Sequence, residues 1–291
     1  MNLQKTGMSL LAAGFLLAGC GSSDNASLSK FSLAVTDAPT DGATSVVVEF
    51  TGIELKPVEG SPVTYDLDAP RQIDLLDFQG TSAATLFSNI DIAAGDYNWM
   101  RLKVNAAQQT IDSYIEFDTG EQYSLYVPSG STSGLQWNQG FTAPANGAVD
   151  FTIDFDLKRS VHTQGNSSDD FVLRPVIRVV DNTEVGSISG TIDPLLVTDE
   201  TCGETQAVYL YELGVEPDDV GSAVEPQTTA FVSTNVDGDY VYTLGFILPG
   251  EYTIAFTCQA SADMPDTDDD VIFVGAQDVV VSTEVNTVAN F

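Results

Sequence analysis

From Phe31 onward the chain is written in short runs in which every second residue is apolar, and this two-residue period most constrains what it can fold into. In FTIDFDLK, Phe151, Ile153, Phe155 and Leu157 alternate with Thr152, Asp154, Asp156 and Lys158. A strand turns successive side chains to opposite faces, so such a run is expected to bury one face and wet the other. FSLAV (31–35) and SVVVEFTGIEL (45–55) bracket the turn TDAPTDGA, where Pro39 and Gly42 set the backbone and Asp37 and Asp41 can bond to it. Asp237-Gly238, between two further runs, is a hairpin signal. Helical period is nearly missing, and TSAATLFSNI (81–90) is the best candidate for a short helix. The fold class expected is all-β, with two β-sandwich domains of immunoglobulin-like or transthyretin-like type.

Charge places the boundary between them. Residues 20–181 hold 22 acidic and 9 basic residues, whereas 182–291 hold 20 acidic residues and neither Lys nor Arg. The polar run DNTEVGSISG reads as a short linker, which gives a first domain over 31–181 and a second over 182–291. So acidic a surface repels nucleic acid and anionic headgroups. Two readings of the acid are open: a solvated surface suited to a salty habitat, or a surface that takes calcium as its counter-ion.

At the other end, Lys5, the apolar stretch from Met8 to Ala18 and the small Gly19 have the layout of an export signal, and the apolar part is too short to span a bilayer. The string LLAGC resembles the lipobox of bacterial lipoproteins. That resemblance implies removal of residues 1–19, acylation (palmitate) of Cys20 and attachment to a membrane through the lipid. Residues 20–30 then form a lipidated tether, polar and small, with a reach of about 15 to 20 Å. Gly21 in place of Asp favours the outer membrane by resemblance to enterobacterial sorting rules, with the periplasmic and cell-surface faces both open. The plainer alternative is an ordinary cleaved signal with an incidental cysteine. With Cys20 committed to lipid, Cys202 and Cys258 remain as an even pair in an oxidising compartment, and a disulfide between them is expected. Two buried thiols are the alternative.

The strings LAVTDAPTDGATSVVVEFTGIEL, QIDLLDFQG, AGDYNWMRLKV, IDFDLKRSV and FVLRPVIRVVD cover most of residues 31–181. In these the first domain resembles the bacterial lipoprotein family known as domain of unknown function 4382. The resemblance implies a cell-envelope lipoprotein and carries no established activity. In the second domain SISGTI, AVYLYEL, TNVDGDYVYTLGFILPGEYTIAF and VVVST are similar to carboxypeptidase-regulatory or transthyretin-like sandwiches. That likeness implies support, spacing or binding. An internal echo joins the halves: IAAGDYNWMRLKV and ILPGEYTIAFTC share a Gly turn, an acid, a Tyr and an alternating strand, with Tyr97 and Tyr252 placed to fill a sandwich edge.

Little of the chain has the pattern of chemistry. His162 is the only histidine, so imidazole-dependent metal or nucleophile sites would all depend on it, and its segment RSVHTQGNSSDD reads as a polar loop. No catalytic residue set is expected. Asp154 and Asp156 share a strand face about 7 Å apart, which suits solvation or a shared cation. DTDDD (266–270) is the densest acidic cluster. As an EF-hand it would need Gly and Glu where Val271 and Gln277 stand, which leaves a looser calcium site at Asp266, Asp268 and Asp270, or a charged turn. Trp99 is expected inside. Trp137, in the Gly-rich SGSTSGLQWNQG, is the aromatic expected at the surface, where its ring could stack on a glycan. Arg101, Lys103, Arg174 and Arg178 are expected to tie strands through ion pairs. No cofactor other than calcium is expected. The expected function is a lipid-anchored, non-enzymatic structural or binding module of the cell envelope, with a glycan or an envelope protein as partner. The alternatives are a calcium-assisted glycan-binding or adhesive surface protein and, behind it, a carboxylate-based envelope hydrolase.

Overall fold

A computed structural model of the chain describes residues 27–38, 40, 42–128, 135–163, 170–198 and 200–291; Cys20, Gly21 and most of the tether lie outside these. The architecture is all-β, two stacked-sheet units in succession. Among the described residues no helix is long and apolar enough to cross a membrane.

In the first unit a four-stranded sheet runs in the order Ile177–Asp181, Ala148–Asp156, Leu28–Ala38, Ala84–Ala93. Leu28–Ala38 lies parallel to Ala148–Asp156, with Leu33 opposite Phe151, and antiparallel to Ala84–Ala93. A nine-stranded sheet built around Ala43–Pro57 and Gly95–Asn105 stacks against it. Phe31, Leu33 and Val35 from one sheet and Val46, Val48 and Phe50 from the other meet in a shared core with Phe151, Ile153 and Phe155, as their alternation requires. Across the second sheet Arg101 pairs with Glu54 at 2.8 Å and Lys103 with Asp66 at 2.6 Å.

The alternate face of FTIDFDLK is not wet. Thr152 and Asp154 are buried along with their apolar neighbours. Strand Thr228–Phe231 of the second unit comes against Leu28–Ala38, and Arg178 bridges Asp154 to the carbonyl of Phe246. The second unit therefore covers what the strand pattern alone would leave to solvent. Backbones touch at this junction: a Cβ on Gly245 would lie 1.9 Å from the Gly80 carbonyl oxygen, a separation that only glycine allows.

The segment TSAATLFSNI is not a helix. Its residues enter strand Ala84–Ala93, which pairs with Leu28–Ala38 through register shifts, and Asn89 sits at φ 52°. The bulge breaks the two-residue period, so that the neighbours Leu86 and Phe87 both lie inside.

The second unit stacks two four-stranded sheets, ordered Ser233–Thr234, Tyr240–Ile247, Gly186–Ile192, Asn286–Val288 and Thr228–Phe231, Ala207–Glu212, Gly250–Thr257, Val274–Val281. Asn235 accepts from the backbone N–H of Asp237 and of Asp239, and Gly238 takes φ +88°, which closes the expected hairpin. Val208 and Leu210 face the core between the sheets, while Ala207, Tyr209 and Tyr211 enter a second cluster with Val220, Ala255 and Ala260 on the outer face. Loops 213–227 and 258–273 supply that outer layer. Cys202 and Cys258 form the disulfide, with Cα atoms 4.8 Å apart. The echo between the halves is reproduced in bonding: Tyr97 donates to the carbonyl of Ala93 and Tyr252 to that of Leu248, each four residues upstream. Burial pushes the Tyr97 hydroxyl up to about 12.

Candidate functional site

Strand Ala148–Asp156 ends where the side chain of Asp156 accepts from the Arg159 N–H at 3.0 Å and caps one helical turn, Leu157–Ser160. Asp37, at the end of the parallel neighbour, accepts from the Leu157 N–H at 3.3 Å. The helical turn breaks the strand alternation and redirects the cations that follow. Lys158 is buried, with Nζ 3.0 Å from the Ala260 carbonyl and 3.2 Å from Asp263 Oδ2, and the Asp263 side chain is fully buried. Arg159 pairs with Asp156 at 2.6 Å and reaches Glu225 at 3.5 Å. His162 lies in strand Val161–Thr163, not in a loop, and its Nδ1 stands 3.8 Å from Asp266 Oδ2. Arg178 bonds Asp154 at 2.7 Å and the Phe246 carbonyl at 2.8 Å. Four basic side chains of the first unit thus meet a second unit that has no Lys or Arg of its own.

On the acidic side, two buried tyrosines organise the loops. Tyr209 donates to Asp263 Oδ2 and Tyr211 to the Asp218 carbonyl, while Asp263 Oδ1 accepts from the Val220 N–H at 3.2 Å. Asp219 is 0% exposed. Its Oδ2 accepts from the Asp269 N–H at 2.8 Å, and its Oδ1 has no hydrogen-bond partner. Burial raises the Asp219 carboxyl above its ordinary value, and Asp218 adds to the shift. One oxygen from each of Asp218, Asp219 and Asp268 lies within 4.8 Å of the others, and the same holds for Asp219, Asp263 and Asp269.

This rearranges the expected metal trio. Asp268 belongs to a carboxylate group; Asp266 faces His162 instead, and Asp270 stands in neither group. Residues 266–270 follow a turn rather than a strand, so alternate positions do not share a face. Sequence reasoning passed over Asp218 and Asp219. The available signal was EPDDVG, a turn with adjacent carboxylates, following AVYLYE, a run too continuously apolar to have a wet side.

A second acidic group lies where Asp37, Asp154 and Asp156 converge. Burial, then the charges of Asp154 and Asp156, hold the Asp37 carboxyl well above its ordinary range, and its buried Oδ2 has no hydrogen-bond partner among the described residues. Burial also raises Asp154, against the opposing pull of Arg178. A carboxyl raised on folding stabilises the fold while protonated, and that contribution is lost as pH rises through the raised value. Asp37→Asn is therefore expected to be more stable than the wild type at neutral pH, with the gap closing below pH ~4. Denaturant midpoints measured for both proteins from pH 3 to 8 check it; an Asn variant that is less stable at neutral pH contradicts the burial argument.

The aromatic expectations change too. Trp137 is half-buried in strand Leu135–Trp137, with its ring stacked on Phe141 (centroids 6.4 Å, planes 20° apart) and tilted against Phe151. Trp99, expected inside, is also half-buried, with the Arg101 guanidinium 4.7 Å from its ring.

Residues 28–175 match the model of the family described as Domain of unknown function (DUF4382). No curated protein matches the chain. Among solved structures it is similar to a minor pilin from Streptococcus agalactiae (10% identity, TM-score 0.20, 90% of this chain and 94% of the other). It is likewise similar to a putative adhesin from Bacteroides ovatus (9%, TM-score 0.21, 94% of each). The Bacillus anthracis TIE protein aligns with 91% of this chain at 10% identity and a TM-score of 0.20, and the chain spans about a third (34%) of that protein's length.

Proposed function

The chain belongs to the DUF4382 family, and with that membership as premise we propose that it is a non-enzymatic cell-envelope module. In this reading Cys20 carries the lipid, the outer membrane is its site, and the second sandwich is a support held rigidly against the first. The observation that carries it is the use made of the cations: Lys158, Arg159 and Arg178 all join the two units. His162, on which imidazole chemistry would depend, stands beside Asp266 at the same junction. A glycan-binding reading rests on Trp137, whose half-buried ring packs beside Phe141 and Phe151. A calcium-assisted role keeps its support from the carboxylates around Asp219 and is developed below.

Radiolabelled palmitate fed to cells is expected to label the wild type and not Cys20→Ala, which should leave the membrane fraction. Equal label on both proteins, or none on either, removes the anchor. Protease shaving of intact cells then assigns the membrane face.

A further inference from the structure

We propose that Asp218, Asp219 and Asp268 form a divalent-cation site of the calcium type that fastens loop 213–227 to loop 258–273 behind the junction. It rests on the reading of the protein as a rigid support only for its purpose; the binding itself stands on the geometry.

The starting point is the bare oxygen of Asp219. A buried polar atom without a partner forfeits a hydrogen bond it would have made to water, and native structures keep few of them. Here the atom belongs to a fully buried carboxylate whose other oxygen is held by the Asp269 N–H. The side chain is thereby fixed in place, with one oxygen left for something the protein does not itself supply.

Charge and distance identify that something. Two oxygens bound to one calcium at about 2.4 Å can be at most about 4.8 Å apart. The oxygens of Asp218, Asp219 and Asp268 fall within that limit of one another. Three carboxylates so close repel unless a cation lies among them or one of them takes up a proton. The second unit has no Lys or Arg to serve, and Lys158 is committed to Asp263 and the Ala260 carbonyl.

The neighbouring carboxylates are spoken for and act as supports. Asp263 takes Tyr209, the Val220 N–H and Lys158, and Asp269 Oδ2 takes the Met264 N–H at 2.7 Å and the Thr267 hydroxyl at 2.9 Å. Asp218 has one oxygen on the Asp219 N–H, and its own carbonyl is held by Tyr211. An all-oxygen donor set selects a hard cation, and the exposed Asp268 gives it a way in from solvent. Magnesium needs oxygens at 2.0–2.1 Å in near-ideal octahedral order, a poor match to ligands drawn from two loops.

The full chain, stripped with chelator, is titrated with calcium and with magnesium by calorimetry, and its melting is followed in parallel. Calcium is expected to bind with a stoichiometry of one and to raise the melting temperature in a concentration-dependent way, with magnesium weaker. Asp268→Ala, at an exposed position, keeps the fold and is expected to weaken calcium binding about tenfold or more. Asp219→Asn should do the same, and Asp270→Asn should bind as the wild type does. No calcium heat and no melting shift in the wild type overturns the site, as does undiminished binding in both Asp268→Ala and Asp219→Asn. None of these readouts touches the lipid, so the site and the anchor stand or fall separately.

Discussion

Lys158→Met is expected to destabilise the folded chain by about 3 to 5 kcal/mol, the range for removing one partner of a buried ion pair. The Lys158 side chain is 6% exposed and that of Asp263 0%, so neither charge has water to fall back on. Methionine fills the space of the lysine stem but takes the counter-charge from the Asp263 carboxylate, which keeps Tyr209 and the Val220 N–H as donors, and leaves the Ala260 carbonyl without the Lys158 donor. Pairing the change with Asp263→Asn removes the stranded charge. The double variant is expected to recover much of the loss, because the cost lies in an uncompensated charge more than in the net worth of the pair. Urea denaturation at neutral pH measures both. A loss below about 1 kcal/mol for the single variant, the range of an exposed pair, would mean that water reaches the junction.

Loss of the disulfide is the second large effect. Cys202 and Cys258 are 56 residues apart, and closing a loop of that length removes denatured-state entropy worth about 4 kcal/mol in the chain-entropy model. The bridge ties the segment before Ala207–Glu212 to the residue that follows Gly250–Thr257 and leads into the loop of Ala260 and Asp263. Reduction, or Cys202→Ser with Cys258→Ser, should therefore weaken the second unit first. Both tryptophans, Trp99 and Trp137, lie in the first unit and report on it alone. After reduction, unfolding followed by tryptophan emission is expected to lag behind that followed by far-ultraviolet circular dichroism. Coincident transitions at an unchanged midpoint would show that the bridge contributes little.

Much of this architecture is legible in the chain because it depends on near neighbours. Alternation in FTIDFDLK places Phe151, Ile153 and Phe155 in the core, Asp237-Gly238 closes its hairpin, and two cysteines left after Cys20 find each other. What escapes reading depends on residues far off. The face expected to be wet at Asp154 is closed by Arg178, which bonds the Phe246 carbonyl, while strand Thr228–Phe231 lies against the neighbouring Leu28–Ala38; these partners come about seventy or more residues later, and no local pattern announces a second layer. Asn89 hides a strand behind a bulge, since one residue in left-handed conformation shifts every later side chain by one place. The carboxylate groups fail for the same reason. Asp266, Asp268 and Asp270 stand at alternate positions of one short run and are separated by a turn, whereas Asp218 and Asp268 are fifty residues apart and are brought together by two loops over Tyr209 and Tyr211.

The parallel pairing of Leu28–Ala38 with Ala148–Asp156 sorts the molecule's ends. Leu33, Phe151 and Asp181 stand in one row across the sheet, so the entering chain and the covalent exit toward Gly186 share one end. Ala38 and Asp156 mark the other end, and from there Lys158, Arg159 and His162 reach across. The second sandwich is thus pinned at both ends, once by peptide bonds and once by charge. Release of the charged end together with the Arg178 bridge and the Gly80–Gly245 contact would leave a pivot: the strands would stay folded while the second body swung about residues 182–185, and small-angle scattering would record the change as an increase in length without a loss of sheet.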